Sequence, residues 1–529
     1  MAKVLVSDKL SKEGLDVLEQ AEGISYDYKP GLKEDQLCEA IPGYEGLIIR
    51  SGSKVTARVI EAASALKVIG RAGIGVDNVD VPAASRRGII VMNTPTGNAV
   101  TTAEHALALL FAVARKIGYA DRTMKEGKWE KSKLEGRELS GKTLGVIGLG
   151  NIGRIVADRA RGLHMNVIAY DPLVSTERAA ELGVKLVSLD ELFASADAIT
   201  IHTPMTPETR GIVNDQSIAK MKKGVLLINA ARGGVYDEAA VLRGLESGHI
   251  GGAGFDVYTQ EPPGATDLVK HPNVVATPHL GASTEEAQTR VAVEIAEQVV
   301  AYLNSGTITN SVNVPSVSSD MAPIIGPYTI LARRLGQFMA QAETVRPKSV
   351  TLECAGEVGG LTLAPIVNAA LAGVLAKYFV ESVNPVNAPL LAKDHGVQVR
   401  ELKSSAHGKY TTFVKLSVVG EGGAQAVVAG TLAADRSPRL VRWGRYEMDA
   451  HLEGALLVMK NEDRPGVIGA IGTLLGQGNI NVSRMQMGLD TQTGEAASVW
   501  SLDSALPEEV LGKIRAASAV KYAVGATVD

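Results

Sequence analysis

Residues 144–153 read Leu-Gly-Val-Ile-Gly-Leu-Gly-Asn-Ile-Gly, a glycine-rich turn that directly follows a strand-like apolar run. A second strand-like run, Asn166–Tyr170, ends at Asp171. In a G-x-G-x-x-G turn the first glycine permits a tight bend, the second admits a pyrophosphate, and the third lets the helix pack closely on the strand. The glycines in these roles are Gly148, Gly150 and Gly153. The stretch therefore predicts a dinucleotide-binding α/β domain.

The residues that follow this turn indicate which dinucleotide is bound. A helix is expected to start near Asn151 and to direct free N–H groups and its positive end at the phosphates. Asp171 is placed to accept both ribose hydroxyls, and its charge would repel a 2′-phosphate. A glycine-rich turn alone is common in structural loops, but here strand, helix and acid occur in register. The predicted cofactor is NAD, and the predicted chemistry is hydride transfer.

Length, charge and cysteine content narrow the class of protein. The 529 residues are too many for one core and predict three or four domains. A net charge of −4 argues against nucleic acid as a partner. Cys38 and Cys354 are far apart and fit neither a disulfide framework nor a zinc site, so no metal is predicted. Without a signal-peptide pattern or a membrane-spanning apolar run, the expected location is cytoplasmic.

Alternating strands and helices organise most of the chain. In the first hundred residues they predict a parallel sheet covered on both faces, and a helix over residues 101–117 follows. Residues 143–277 predict a doubly wound domain of six strands. A further helix is expected at 284–303, an exit linker at 310–315, and helices at 327–342 and 363–380. Residues 456–526 predict the order β-α-β-β-α-β of a ferredoxin-like unit.

Three polar residues follow successive strands of the predicted doubly wound domain, at the edge where such sheets bind ligands. They are Arg232, Glu261 and His279. An arginine can bind a substrate carboxylate through two hydrogen bonds, and a histidine can accept a hydroxyl proton near neutral pH. A carboxylate paired with that histidine would stabilise its protonated form. Each residue alone has an ordinary structural explanation, but the set predicts a dehydrogenase site.

At these residues the chain resembles the D-2-hydroxyacid dehydrogenases. The resemblance lies in residues 144–153, in 192–213 with His202-Thr203-Pro204, and in 221–237. Together with the tail, which resembles an ACT regulatory domain, the whole chain is most similar to the long-type D-3-phosphoglycerate dehydrogenase family. The resemblance implies NAD-dependent oxidation of 3-phospho-D-glycerate to 3-phosphooxypyruvate, the first step of L-serine biosynthesis. It also implies feedback inhibition by L-serine and a possible 2-oxoglutarate reductase side activity.

The resemblance also implies an architecture. It comprises a flavodoxin-like substrate domain (1–98 and 283–317), a Rossmann NAD-binding domain (99–282), an α/β intervening domain (318–454) and a ferredoxin-like ACT domain (455–529). A homo-oligomer is expected, with a tetramer as the common form in this family. The active site is expected in a cleft between the first two domains.

Carried over by resemblance, Arg232 binds the substrate carboxylate and carbonyl, His279 transfers the proton and Glu261 pairs with His279. Further cofactor contacts are expected from Ile74, Asn151, Ile152, Asp171, Thr203, Ala230, Ala231, Arg232, Asp256, His279, Leu280, Gly281 and Ala282. Asn151 occupies a variable position of the motif, so its backbone N–H is the more secure contact.

A phosphorylated substrate needs further cations. Arg50 and Arg71, which end strands of the first domain, are expected to bind it, with the backbone of Gly73 nearby. Lys131 and Lys133 follow Trp129 in a polar stretch and either reach a neighbouring subunit's site or are merely solvated. The sequence does not distinguish these two alternatives for the lysines.

Two regulatory sites are implied by resemblance. The turn 461–466 is expected to bind serine between paired subunits through Asn461, Asp463 and Asn481, although cap and turn roles need the same residue types. The intervening block is linked in the family to a second anion site. The cations available there are Arg400, Lys403, Lys409, Lys415, Arg436, Arg439, Arg442 and Arg445, among which the sequence does not choose.

Three alternatives stay open at this stage. One is a relative that reduces glyoxylate, hydroxypyruvate or 2-oxoglutarate. Another is an NAD-gated corepressor that binds a partner protein without turnover. In the third, the tail binds no ligand and only holds subunits together.

Overall fold

Four β-sheets organise the residues that the computed structural model describes, which are 1–315, 321–379, 382–404 and 410–529. The predicted domain boundary at residue 318 lies outside these residues, so the four-domain division stays a prediction. Within the described ranges, no helix combines the length and the apolar character needed to cross a membrane.

The first sheet is parallel and has the strand order β2-β1-β3-β4-β5, which is the flavodoxin-like arrangement. Its strands are β1 (Ala2–Val6), β2 (Ile24–Tyr28), β3 (Gly46–Ile49), β4 (Val68–Arg71) and β5 (Ile90–Met92). Its helices are α1 (Lys12–Gln20), α2 (Glu34–Ala40), α3 (Ala57–Ala62) and α4 (Val81–Arg86). Strand β3 is buried along its whole length, as expected when helices cover both faces of a parallel sheet.

The second sheet is also parallel, with the order β12-β11-β10-β9-β6-β7-β8, a Rossmann arrangement extended by one strand. Its strands are β6 (Thr143–Ile147), β7 (Asn166–Tyr170), β8 (Lys185–Leu186), β9 (Ala198–Ile201), β10 (Val225–Asn229), β11 (Ile250–Phe255) and β12 (Val274–Ala276). Its helices are α5 (Ala99–Ala114), α6 (Ile117–Lys125), α7 (Gly153–Gly162), α8 (Thr176–Glu181), α9 (Leu189–Ser195), α10 (Asp215–Lys220), α11 (Glu238–Glu246) and α12 (Asp267–Lys270). The predicted doubly wound fold is confirmed.

Two details of this domain differ from the prediction. The sheet has seven strands rather than the six predicted. The additional strand is β8, which has only two residues and is too short to show alternation in the sequence. The helix predicted over residues 101–117 ends at Ala114, and α6 begins after it. Lys116 has a φ of 53°, a left-handed conformation that interrupts the helical hydrogen bonds between the two segments.

Helix α13 (Glu285–Ser305) leaves the second domain and packs against the first sheet. Its residues Val291, Ile295 and Val299 are buried in the core of that sheet. Gly14 of α1 allows this approach, because a methyl group there would lie 2.7 Å from the Ala292 side chain. The segment predicted as an exit linker packs there too, with Ser311 bridged to Met92 of β5. The chain therefore returns to the first sheet before it continues into the third.

The third sheet is mixed, with the order β14-β13-β15-β16-β17-β18, and only its β13–β14 pair is parallel. Its elements are α14 (Ala322–Ala342), β13 (Ser349–Gly356), α15 (Ala364–Leu375), α16 (Ala388–Asp394), β14 (Gln398–Ser404), β15 (Thr412–Val419), β16 (Gln425–Leu432), β17 (Pro438–Trp443) and β18 (Tyr446–His451). Helix α14 starts five residues before the predicted start at Pro327. Pro327 has no N–H, so it cannot donate the helical hydrogen bond to the Pro323 carbonyl. That carbonyl instead accepts a hydrogen bond from Arg436 Nη1 at 2.9 Å.

The fourth sheet is antiparallel, with the order β20-β21-β19-β22 of a ferredoxin-like unit. Its elements are β19 (Gly454–Glu462), α17 (Val467–Gln477), β20 (Val482–Asp490), β21 (Glu495–Leu502), α18 (Glu508–Arg515) and β22 (Val520–Val528). The predicted order β-α-β-β-α-β is confirmed. Helix α17 begins after Gly466, whose φ is 93°.

The two faces of the fourth sheet belong to different cores. Leu457 and Met459 face α17 and α18, whereas Leu456 and Val458 join the core built around α14 and the third sheet. The fourth sheet is therefore a layer between the core around α14 and the helices α17 and α18.

Trp443 of β17 lies at the centre of this junction. It is fully buried in the shared core, with its ring 5.7 Å from that of Phe338. Polar contacts reinforce the packing, since Glu343 accepts a hydrogen bond from Trp443 Nε1 at 2.7 Å and lies 3.4 Å from Lys460 Nζ. One continuous hydrophobic core thus joins the third and fourth sheets, and the contacts of Glu343 with Trp443 and Lys460 reinforce it.

Helices α14 and α15 cross at a pair of glycines. A methyl group at Gly336 would overlap the Ala370 carbonyl oxygen, and one at Gly373 would overlap the Arg333 carbonyl oxygen. We therefore expect Gly336→Ala to lower the free energy of unfolding by about 1–3 kcal/mol, because the helices must separate. Thermal denaturation followed by tryptophan fluorescence measures the change.

Gly326→Ala is the matched control for this prediction. Gly326 lies in the same helix, and no atom of the described residues beyond the adjoining backbone lies within 4 Å of its hypothetical methyl group. There the substitution should change the free energy of unfolding by less than about 1 kcal/mol, because the gain in helix propensity is opposed by the preference of a residue before proline, here Pro327, for extended backbone. Equal melting temperatures for Gly336→Ala and Gly326→Ala would show that the crossing of α14 and α15 does not require glycine.

Candidate active site

The glycine-rich turn has the geometry that a dinucleotide needs. Gly148 has a φ of 91°, and a methyl group at Gly153 would overlap the Gly148 carbonyl oxygen. Among the described residues, no atom beyond the adjoining backbone lies within 4 Å of a hypothetical methyl group at Gly150, which leaves room for a pyrophosphate. Helix α7 begins at Gly153, two residues later than expected, with Ile152 as its N-cap residue. The residues present therefore fit NAD.

Two polar groups lie beside this turn. The Asp171 carboxylate accepts the Leu149 N–H at 2.8 Å through Oδ2 and the Leu173 N–H at 2.9 Å through Oδ1, which fixes it at the end of β7. Thr203 has a buried hydroxyl with no hydrogen-bond partner in the described part of the chain. The neighbouring His202 is half-buried, and desolvation lowers its pKa to about 3, so its imidazole is neutral.

The Asn151 side chain reaches the segment that connects the two domains. Its Nδ2 donates to the Pro95 carbonyl at 3.0 Å, so the amide is engaged in the protein itself. This leaves the backbone as the expected cofactor contact at Asn151. At the end of β10, Ala230 and Ala231 are buried, and the Ala231 N–H donates to Asn229 Oδ1 at 3.1 Å.

His279 and Glu261, predicted as a pair, lie in contact. His279 Nδ1 is 2.8 Å from Glu261 Oε2, and Glu261 Oε1 accepts the Tyr258 N–H at 3.1 Å. Glu261 is thus fixed by the backbone while it holds the imidazole. This arrangement leaves Nε2 of His279 for a substrate. His279 also has a φ of 56°, a conformation that costs energy for a residue with a side chain.

Asp256 organises the turn that carries His279. Its side chain is almost fully buried, and its oxygens accept the N–H groups of Leu280 at 2.7 Å and Gly281 at 2.8 Å. Its carbonyl oxygen accepts the His279 N–H at 2.9 Å. Asp256, Leu280 and Gly281 were all predicted as cofactor contacts, with Ala282 next in the chain. In this structure the Asp256 carboxylate accepts the N–H groups of Leu280 and Gly281.

Arg232 lies across the cleft against the first domain. Its Nε donates to Asp77 Oδ2 at 3.0 Å, and its Nη1 donates to the Ala231 carbonyl at 2.7 Å. A methyl group at Gly75 would overlap the Arg232 guanidinium. The Arg232 side chain therefore packs against the loop that follows β4 and links the two domains at the cleft.

Arg71 is the last residue of β4, and its side chain packs against the same loop. A methyl group at Gly73, whose φ is 143°, would overlap the Arg71 guanidinium. Burial together with the charges of Arg232 and Arg50 lowers the pKa of Arg71 to about 10, so it remains a cation at neutral pH. The loop itself is fixed where Asn93 Nδ2 donates to the Ile74 carbonyl at 2.5 Å. Three guanidinium groups are thus close enough to repel one another at the cleft.

Arg50 is held at the end of β3. Its backbone N–H donates to the buried Asp8 carboxylate at 2.6 Å, and its Nη1 is 3.4 Å from Gln288 Oε1 of α13. Lys131 and Lys133 lie in a short 3₁₀ helix at the surface, where Lys133 pairs with Glu130 at 3.0 Å. Trp129 beside them is 78% exposed. The structure brings the arginines to the cleft and leaves both lysines on the outside of the chain.

The residues predicted to bind L-serine do not come together within one chain. Asp463 follows the end of β19 that pairs with Glu495, whereas Asn481 precedes the end of β20 that pairs with Leu502. The seven residue steps along β21 separate these ends by about 23 Å. Asn461 is buried, and its Oδ1 has no hydrogen-bond partner in the described ranges. The site was expected between paired subunits, so the role of Asn481 stays a prediction that a single chain does not test.

The candidate cations of the intervening domain lie in different places. Lys415 pairs with Glu353 at 3.0 Å, and Arg445 pairs with Asp490 at 2.8 Å. Arg439 lies near Asp449, and its Nε is buried without a partner among the described residues. Four other cations donate hydrogen bonds within the protein: Arg400 to Gln398, Lys403 to Leu361, Arg436 to Pro323 and Arg442 to Gly444. Lys409 lies outside the described residues.

Two polar residues at the site were not predicted from the sequence. Asp77 contacts Arg232 from 155 positions away, and His105 contacts Asp256 from 151 positions away. For His105 a signal existed, since it is a histidine inside the otherwise apolar helix α5. Within the described ranges, no group of three or more His, Cys, Asp or Glu side chains is arranged to hold a metal ion.

Comparison with known families agrees with this geometry. Residues 107–281 match the model of the D-isomer specific 2-hydroxyacid dehydrogenase NAD binding domain, which confirms NAD as the cofactor. Residues 324–443 match the D-3-phosphoglycerate dehydrogenase intervening domain. Among solved structures, the TT0316 protein from Thermus thermophilus is similar with a TM-score of 0.55 and 36% identity, over 59% of this chain and 99% of that one.

Curated relatives extend the similarity to the full length. A D-3-phosphoglycerate dehydrogenase of Synechocystis sp. is 42% identical over 99% of this chain and 94% of its own. A D-3-phosphoglycerate dehydrogenase of Archaeoglobus fulgidus is 42% identical over 92% of each chain. The chain therefore belongs to the D-3-phosphoglycerate dehydrogenase family and is an NAD-dependent 2-hydroxyacid oxidoreductase.

Proposed function

We propose that this protein oxidises 3-phospho-D-glycerate to 3-phosphooxypyruvate with NAD, as the first step of L-serine biosynthesis. The observation that carries the proposal is the convergence of Arg50, Arg71 and Arg232 at one cleft. Mutually repelling guanidinium groups favour a ligand with several negative charges, and the substrate offers a carboxylate and a phosphate. The names of the full-length relatives support the same substrate.

The reaction divides between the two domains. Arg232 binds the substrate carboxylate and polarises the oxygen on C2, while Arg50 and Arg71 hold the phosphate with the backbone at Gly73. When bound, NAD⁺ supplies the acceptor for the hydride that leaves C2. His279 Nε2 accepts the hydroxyl proton, and Glu261 holds the imidazole in orientation through Nδ1. In the reverse direction the imidazolium returns that proton to the carbonyl oxygen.

The same site accommodates related keto acids less well. A side activity on 2-oxoglutarate is consistent with carboxylate binding by Arg232. The unphosphorylated substrates hydroxypyruvate and glyoxylate leave Arg50 and Arg71 without an anion. A purely NAD-gated corepressor would need no His279–Glu261 pair, and that pair is assembled in this chain at 2.8 Å.

Surface features favour a homo-oligomer, and we propose a tetramer. Phe111 of α5, Ile117 and Met124 of α6 and the nearby Trp129 are exposed apolar side chains on the dehydrogenase half. A second copy covering this surface would remove them from water. The same contact would carry Lys131 and Lys133 toward a neighbouring subunit. We propose a cytoplasmic location for the enzyme.

The tail supports a second contact between copies. Strand β20 lies at the edge of the fourth sheet, and such an edge can pair with a second copy. Antiparallel pairing of two β20 edges around a twofold axis brings the start of one strand to the end of the other. Asn481 of one subunit would then approach Asp463 of the next. We propose that L-serine binds there, in the manner of an ACT domain, and inhibits the enzyme.

Replacing Glu261 by Gln tests the roles in proton transfer. Because Glu261 holds Nδ1 of His279 at 2.8 Å, its loss should free the imidazole from its fixed orientation. We expect the maximal rate of oxidation to fall by about tenfold. Measuring NADH formation at saturating substrate checks this effect.

His279→Asn is the companion variant for this test. It should abolish turnover at every pH and keep NADH affinity, measured by fluorescence titration, near that of the wild type. Near-normal turnover in His279→Asn would refute the assignment of the proton acceptor.

A second prediction concerns the phosphate group. The rate of NADH consumption with 3-phosphooxypyruvate should greatly exceed the rate with unphosphorylated hydroxypyruvate. Arg50→Gln or Arg71→Gln should lower kcat/KM for the phosphate ester by about tenfold or more, because each removes a charged hydrogen bond. The rate with hydroxypyruvate should change little.

Arg58→Gln is the matched control, because Arg58 lies in the same domain and pairs with Asp35 at the surface. It should behave like the wild type with both keto acids. Equal wild-type rates with the two keto acids would leave a 2-hydroxyacid dehydrogenase of another specificity.

A third prediction concerns the effector. Isothermal titration with L-serine should release heat with the wild type, and serine should suppress turnover. Asp463→Ala should weaken binding by about tenfold or more, because it removes the charged partner of the ammonium group. Glu509→Gln, which removes an exposed carboxylate of α18 paired with Lys513, serves as control. Equal heats with wild type and Asp463→Ala would reject the site.

A further inference from the structure

A histidine on α5 lies behind the turn that carries His279. His105 Nε2 is 3.1 Å from Asp256 Oδ1 and 3.0 Å from Thr277 Oγ1. The Thr277 hydroxyl donates its own hydrogen to Asp256 Oδ1 at 2.6 Å. Since a carboxylate has no hydrogen to offer and the threonine hydrogen is engaged, Nε2 of His105 must carry a hydrogen. The contacts therefore define His105 as a donor to this cluster.

Asp256 transmits this contact to the active-site turn. Burial alone would raise the pKa of Asp256, but donors led by His105 and Thr277 outweigh it and hold the pKa below its ordinary value. The same carboxylate accepts the N–H groups of Leu280 and Gly281, and the Asp256 carbonyl accepts that of His279. Three consecutive N–H groups of the turn thus end on one residue.

The turn needs such support because His279 is in a left-handed conformation, with a φ of 56°. A residue with a side chain holds this conformation only when the surrounding contacts impose it. Thr102, three residues before His105 on the same helix, donates to the Gly281 carbonyl at 3.0 Å. Helix α5 therefore contacts the turn from behind through both Asp256 and Gly281.

We propose that His105 is a positioning residue for the reaction, which acts through Asp256 on the 279–281 turn. This inference rests on the proposed role of His279. His105 contacts neither the His279 side chain nor Glu261, and its effect is to keep the imidazole aligned with Glu261. Because the turn is also a predicted cofactor contact, the same residue sets the affinity for the dinucleotide.

Three variants separate positioning from simple stability. His105→Leu removes the donor, and His105→Gln keeps an N–H donor on a side chain of similar reach. Glu104→Gln is the control, because Glu104 is the adjacent residue of α5 and pairs with Arg159 near the surface. Circular dichroism and thermal denaturation establish the temperature range in which all three are folded, and all rates are measured there.

For His105→Leu we expect kcat to fall by about 10- to 100-fold, the range that a misplacement of about 1 Å can cause. NADH affinity, measured by fluorescence titration without a substrate, should weaken several-fold. His105→Gln should recover most of both, and Glu104→Gln should equal the wild type. Unchanged kcat and NADH affinity in folded His105→Leu would overturn the proposal, whatever its melting temperature.

A double-mutant cycle with Asp256→Asn tests the route. If His105 acts through Asp256, His105→Leu should have little further effect on NADH affinity in the Asp256→Asn background. Effects that multiply in the double mutant would show independent roles and reject the proposed route. NADH affinity remains measurable when no keto acid is reduced, so failure of the proposed reaction is distinguishable from failure of this inference.

Discussion

A parallel sheet gathers the carboxyl ends of its strands along one edge, and the site of this protein depends on that constraint. Arg232, Glu261 and His279 follow β10, β11 and β12, which are neighbours in the second sheet. The short connections after these strands need further fixation, because turns alone do not hold side chains in place. A buried carboxylate, that of Asp256, provides it for the turn of His279 by accepting consecutive backbone N–H groups.

The electrostatics of the cleft follow from the two-domain construction. Arg50 and Arg71 end strands of the first sheet, whereas Arg232 comes from the second, so the cationic cluster exists only where the domains meet. Asp77 pairs with Arg232 across that boundary at 3.0 Å and partly offsets the repulsion. The side chain of Asp77 is 71% exposed, so this ion pair is screened by water and adds little to stability. Its effect is on the orientation of the guanidinium.

The sequence by itself determined the elements whose signals are local. The G-x-G-x-x-G turn, the βα alternation and the β-α-β-β-α-β order depend on residues close in the chain, and all were recognised. Strand β8 gives no local signal because two residues carry no periodicity, and Pro327 does not mark the start of α14 because proline restricts helices without defining their first residue. The pairing of His279 with Glu261, only 18 positions apart, was also predictable from their place after neighbouring strands.

Only the tertiary structure decided the long-range contacts. His105 and Asp256 are 151 positions apart, as Asp77 and Arg232 are 155 apart, and nothing in the local pattern links either pair. The separation of Asp463 from Asn481 likewise follows from strand order, which places them at opposite ends of one sheet. Local periodicity specifies which face of an element is buried, but the partner of each buried polar group depends on how distant elements pack.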